Sequence, residues 1–293
     1  MKASIALVVF LLHASLGAAA ELFVAPVPLG ADTNPGTREK PKADVQQVIW
    51  SLKPGDTLTL LPGTYTQPLS FAKSGTAEAP ITVRGDASGE VILDGAARPA
   101  AGPEFSMIAV SANFITIEKL EIRRSPGWGI SVWGKTNAIL RRNKITGCSQ
   151  GGITASFTDL TTLHDVLIEG NTLSDNCRAN ADHKTLGGWP ASLSVGGTRC
   201  TVRGNLVERG HAEGIAVGGG LNRTRFERNT FVDGSVELLH LDPSAGHVDN
   251  VFADNRCVQT VERPVVNATS ILPGFRFSNN QWLGLQPPPP FVK

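Results

Sequence analysis

From residue 117 onward, apolar and polar positions fall into a recurring unit, apolar-x-x-Asn-x-apolar. It occurs at Leu140, Asn143 and Ile145, at Ile168, Asn171 and Leu173, at Val202, Asn205 and Val207, and at Phe226, Asn229 and Phe231. Two further copies are Phe252, Asn255, Cys257 and Phe277, Asn280, Trp282; an earlier one, Ile117, Leu120, Ile122, carries Leu in place of Asn. Successive central positions lie 23, 28, 34, 24, 26 and 25 residues apart. A second apolar stretch with period-two alternation follows most units, at 129–132, 152–155, 192–195 and 214–217, with 237–241 a less regular member. Such alternation predicts strands with one buried face.

A repeat of about 25 residues holding three short strands predicts one coil of a right-handed parallel β-helix, since a single coil cannot bury its own apolar face and must stack. At a strand spacing of ~4.8 Å, equivalent residues become vertical neighbours. Stacked Asn amides then donate and accept along the column. The expected fold class is all-β, a single-stranded parallel solenoid. Residues 43–52 place Val45, Val48, Ile49 and Leu52 at helical spacing with Asp44 as N-cap, which predicts a short helix covering the open first coil. Pro54, Gly55 and Asp56 turn the chain into an expected first strand at 57–61, and 81–83 and 91–93 read as irregular coils.

The first residues read differently. Lys2, an apolar run at 5–12 and Ala18, Ala19 and Ala20 form the pattern of a secretory signal peptide, with cleavage expected before Glu21. The run is too short to span a bilayer. The expected organisation is a leader at 1–20, a β-helix at 21–285 with its N-terminal cap at 21–56, and a Pro-rich tail at 286–293. Charge adds little: 27 basic residues face 26 acidic ones, which disfavours nucleic-acid binding through bulk electrostatics. The expected product is exported, secreted or periplasmic, and monomeric, with no membrane span.

Three segments carry a resemblance. Residues 30–37 (GADTNPGT), 53–57 (KPGDT) and 62–65 (PGTY) are similar to the opening segment of secreted pectate-lyase-like right-handed β-helix proteins. The Asn-bearing repeats resemble the domain shared by carbohydrate-binding proteins and sugar hydrolases. The likeness covers nearly the whole chain after the leader. It implies a polysaccharide ligand, and a groove on the exposed face of the strand that opens each coil. Fold alone does not assign the reaction.

Candidate chemistry clusters at one turn. Leu173 and Leu193 are 20 residues apart, against 8 between Ile122 and Ile130, and the insertion holds Asp182, His183, Lys184 and Trp189. Neighbouring turns bring Trp128, Trp133, Arg209, His211 and Glu213. Trp faces stack on sugar rings, and cations hold uronate carboxylates, Arg with a bidentate fork. β-Elimination needs a base at C5 and a group that neutralises the carboxylate. Lys184 or His183 fits the base; Arg209 or His211 fits neutralisation or protonation of the leaving oxygen. Asp182 and Glu213 are the pair a hydrolase would use. The plainer alternatives stay open: a solvated Asp-His-Lys run, a Glu213 that only solvates a strand edge, and a Trp189 that only pins its loop.

Departures from the resemblance bear on the reaction. Residues 213–219 are similar to the strand that carries the catalytic lysine in one pectate lyase family, but the matching position is Ala216. The preceding strand in that family carries Asp ligands for calcium; residues 191–195 (ASLSV) hold no carboxylate. No firm cofactor is expected, calcium included. His240 and Asp242 form a further pair, with a core-packed His240 the preferred reading. Cys148 and Cys177 fall in the third turn of adjacent coils and are expected to form a disulfide; Cys200 and Cys257 read as core thiols. Two functions follow: a lyase acting on a uronate-containing glycan, or a non-catalytic carbohydrate-binding or adhesion module.

Overall fold

The structure, a computed structural model, describes residues 18–98, 105–155, 163–178, 190–234, 239–241, 246–263, 265–267 and 274–286. Residues 1–17 of the expected leader and 287–293 of the expected tail lie outside the described residues. The described chain winds through three parallel sheets. The first runs from Glu21–Val24 to Phe275–Ser278, the second from Gly63–Tyr65 to Gln281–Gly284, and the third from Leu69–Phe71 to Val266–Asn267. Each strand pairs with its equivalents in the coils before and after, in parallel register. This is the stacked solenoid that the repeat predicts.

The Asn column is continuous. The Asn143 backbone N–H donates to Asn171 Oδ1 at 3.0 Å, Asn171 to Asn205 at 2.9 Å, Asn205 to Asn229 at 3.0 Å, and Asn229 to Asn255 at 2.9 Å. Each Nδ2 also donates to a carbonyl of the preceding coil, as from Asn171 to Leu140 at 2.9 Å. Amides thus satisfy the buried polar groups of a tight turn. Polar side chains repeat the device at the other corners: Asn176 accepts from the Cys148 N–H at 3.1 Å, and Asn250 from the Thr224 N–H at 2.9 Å.

Inside, aligned apolar residues form one core. Ile122, Ile145, Leu173, Val207, Phe231 and Cys257 stand in one second-sheet column, every one buried. Toward the C-terminal end the core turns aromatic, with Phe252 of the first sheet stacked on Phe231 at 6.0 Å and on Trp282 at 5.8 Å. The outer face of the first sheet alternates in charge, Arg84, Glu118, Arg141, Glu169, Arg203 and Glu227, one residue per coil. Arg141 bonds Glu118 at 2.5 Å and Arg203 bonds Glu169 at 2.6 Å. Opposite charges on adjacent rungs favour this register over a slipped one.

The capping helix is Val45–Ser51, with Asp44 accepting from the Gln47 N–H at 3.0 Å and Val45, Val48 and Ile49 buried. Two details differ from expectation. Thr57–Leu60 is not the first strand: Glu21–Val24 precedes it and pairs with it in parallel. Ile81–Gly85 and Val91–Asp94 are regular members of the first and second sheets; their coils lack only the Asn turn that marks the later ones.

Candidate functional site

The third sheet holds the face on which the expected groove would lie. Its outward ladder reads Ser70, Ala109, Ser131, Thr154, Ser194, Ala216, His240 and Asn267. From Ser70 to His240 these residues alternate with core positions such as Ile153, Leu193 and Ile215, so strand pleating turns them away from the core. Ser131, Thr154, Ser194 and Ala216 are buried, and His240 is partly exposed. His240 pairs with Ala216 while Leu239 pairs with the core residue Ile215. This corrects the preferred core-packed reading: the pairing places His240 on the outward parity. Asp242 lies outside the described residues.

A second column opens the same strands. Trp128 pairs with Ser106 below and Gly151 above, and Ala191 pairs with Glu213. Gly151 links the two halves: a β-carbon on it would sit 2.2 Å from the Ala191 carbonyl oxygen and 2.3 Å from the Trp128 ring. Only glycine lets the indole lie there. Trp128 is 6% and Glu213 1% exposed.

The nominated residues are only partly brought together. Asp182, His183, Lys184 and Trp189 lie outside the described residues. Arg209, His211 and Glu213 share one corner between the second and third sheets. Arg209 stands at φ 50° with its guanidinium engaged by Glu208 at 2.5 Å and Asp175 at 3.4 Å. The His211 N–H donates to the Asn176 carbonyl at 2.9 Å, and its Nε2 is buried with no hydrogen-bond partner among the described residues. Trp133 lies just past the other end of the Trp128–Val132 strand, its N–H on Val110 O at 3.1 Å.

Glu213 lies close to the cysteines. Burial pushes the Cys177 thiol well above its ordinary range, and the Glu213 carboxylate and Cys148 push it further. Burial likewise lifts Cys148 to about 12 and Cys200 to about 11. Cys148 and Cys177 are adjacent-coil neighbours, the Cys177 N–H donating to Cys148 O at 2.8 Å. The expected disulfide between them is not formed: all four cysteines are buried free thiols. Their environment is that of core side chains: burial outweighs even the Arg199 charge beside Cys200.

One polar cluster escaped the sequence reading. His164 Nδ1 lies 2.7 Å from Asp165 Oδ2, and Arg199 grips the same carboxylate through Nε at 2.9 Å and Nη2 at 2.7 Å. A ring nitrogen that close to a carboxylate donates its proton to it. The Arg199 hydrogen bond, outweighing partial burial, holds the Asp165 carboxyl below its usual range. The adjacent His and Asp were visible in sequence; Arg199, 34 residues on, was not tied to them.

The calcium that the resemblance brings does not fit. The matching strand, within Ala191–Thr198, offers alanine, serine, leucine and valine where acidic ligands would stand. Among the described residues no group of three or more His, Cys, Asp or Glu side chains is placed to hold a metal ion. No helix among them is long and apolar enough to cross a membrane.

Stacked parallel coils, an Asn column and a small-residue face on the third sheet define a right-handed β-helix of the pectate-lyase type. The chain belongs to the Pel9A-like right-handed β-helix family, whose model matches residues 22–220. It is 27% identical over 198 residues to the uncharacterized protein YwoF of Bacillus subtilis, covering 64% of this chain and 42% of that one. It is 36% identical over 83 residues to pectate lyase PEL9 of Emericella nidulans, covering 28% of this chain and 20% of that one. The chain thus spans less than half the length of either curated relative. Among solved structures, an alginate lyase from Paenibacillus sp. str. FPU-7 superposes with a TM-score of 0.61 at 17% identity, covering 91% of this chain and 98% of that one.

Proposed function

We propose that this chain is an exported polysaccharide lyase that cleaves a uronate-containing glycan by β-elimination along the outward face of the third sheet. The observation that carries this reading is His240, which pairs with Ala216 on the outward ladder. Ala216 has no proton chemistry; an imidazole one coil further on does. In the proposed reaction a base takes the C5 proton, the C4–O bond breaks as the C4–C5 double bond forms, and the departing oxygen takes a proton. His240 serves as base, with His183 and Lys184 of the inserted loop as the further proton-transfer candidates. Family membership and the partial match to a pectate lyase support the substrate class. The test is incubation with pectate and with alginate, with and without calcium, following unsaturated ends by ultraviolet absorbance. No rise on either polymer would count against the proposal.

A second reading is a carbohydrate-binding module without turnover. What favours it is the run Ala109, Ser131, Thr154, Ser194 and Ala216, five successive outward rungs without an acid or base. Affinity for a polyuronate without product would select it.

A further inference from the structure

The corner between the first and second sheets lies opposite the third-sheet groove, and it changes character where the Asn column stops. In the later coils the corner is a tight turn with one left-handed residue before the column Asn: Gly170, Gly204, Arg228, Asp254 and Asn279 before Asn171, Asn205, Asn229, Asn255 and Asn280. At the end of the column Asn143 is preceded by Arg142, and one coil earlier Lys119 precedes Leu120. Before that, residues 86–90 form a longer connection from Ile81–Gly85 to Val91–Asp94. A cleft of about 200 Å³ lies here, lined by Glu90, Val91, Lys119, Glu121, Arg142 and Lys144.

The charges in it are unequally committed. Lys144 Nζ bonds Glu121 at 3.1 Å. Lys119, Arg142 and Glu90 are exposed, and their side chains have no hydrogen-bond or ion-pair partner among the described residues. Lys119 and Arg142 stand at φ 58° and 55°, a region that disfavours any residue with a β-carbon. The equivalent position holds Gly170 and Gly204 in the next two coils and Arg228, Asp254 and Asn279 in the three after them. Lys119 and Arg142 are two long cations on adjacent coils that line the same cleft.

We propose that this cleft binds one anionic sugar residue, with its carboxylate between Lys119 and Arg142 and its hydroxyls donating to Glu90. Arg offers a planar fork to a carboxylate, and Lys a compact charge beside it. Glu90 accepts hydrogen bonds from hydroxyls but repels a phosphate, which separates a sugar acid from a simple anion. The inference rests on the uronate reading above and adds a second contact, on the far side of the coil from the groove.

The test is calorimetric titration of the full chain with a trigalacturonate, a mannuronate trimer, maltotriose and inorganic phosphate. The wild type is compared with Lys119→Ala/Arg142→Ala, and with Lys119→Gly/Arg142→Gly, which installs the residue used at Gly170. Two uronate sites per chain are expected, falling to one in both double variants, with turnover of short substrates changed less than twofold. Maltotriose and phosphate are expected not to bind at the cleft. Unchanged stoichiometry in both variants, or phosphate binding as tightly as the sugar acid, overturns the proposal. Uronate turnover with only one wild-type site overturns it while leaving the lyase reading intact. Uronate binding that vanishes in the variants, with no turnover by the wild type, supports the cleft and sinks the lyase.

Discussion

Asn171 and Asn205 are 34 residues apart in the chain, yet Asn205 Oδ1 accepts from both the backbone N–H and the Nδ2 of Asn171, at 2.9 and 3.0 Å. The coil between them carries the longest insertion, and the column passes it unbroken. Extra chain is therefore accommodated outside the ladder, and the register of the coils does not depend on their length.

The column should be sensitive at its centre and tolerant at its end. Asn205→Ala leaves a buried Asn171 N–H without its acceptor, a cost of about 1–3 kcal/mol. Asn280→Ala, at the half-buried last rung, should cost less. Urea unfolding of the two variants measures the difference, and equal losses would contradict the argument.

His240 should matter to turnover and not to folding. If it transfers the C5 proton, His240→Ala lowers kcat by roughly 10²–10⁴ with an unchanged melting temperature. Ala216→Ser, on the neighbouring rung, should leave turnover nearly intact. Absorbance of unsaturated ends provides the readout; a fully active His240→Ala would move the base elsewhere.

Acid should weaken the N-terminal coils through Asp94. Burial would raise its carboxyl, but Arg124, the Ala96 N–H and Arg123 outweigh that and hold it at about 2. An unfolded Asp titrates near ~3.9. With the folded value the lower one, its stabilisation is complete above about pH 4 and is lost as pH falls toward 2. Asp94→Asn should flatten the fall in melting temperature across that window. An unchanged slope would mean that Asp94 makes no net contribution.

The thiols should be silent until the chain unfolds. Alkylation followed by mass measurement should add nothing to Cys148, Cys177, Cys200 or Cys257 in the native protein and label all four in denaturant. Two unlabelled cysteines in denaturant without reductant would reveal a disulfide instead.

Gly151 should not tolerate a side chain. Its β-carbon would meet the Ala191 carbonyl and the Trp128 ring inside contact distance. Gly151→Ala should destabilise by roughly 1–3 kcal/mol and shift Trp fluorescence as the indole is displaced. Wild-type stability would show that the indole has room to move.

The solenoid was legible in the sequence because its grammar is local. Asn143, Asn171 and their equivalents recur between fixed apolar neighbours, and a coil that cannot bury its own face must stack. The same spacing placed Cys257 in the column of Val207 and Phe231, and the helical spacing of Val45, Val48, Ile49 and Leu52 put Asp44 at the helix start. What only tertiary structure decided depends on pairing between coils. The irregular stretch around His240 left its parity open until Leu239 was set against Ile215. The alternating column from Arg84 to Glu227 is invisible to a net charge of +1, because its members meet only after winding. Arg199 reaches Asp165, and Lys119 stands beside Arg142, for the same reason: sequence records which residues share a strand, while the pitch of the coil decides which become neighbours.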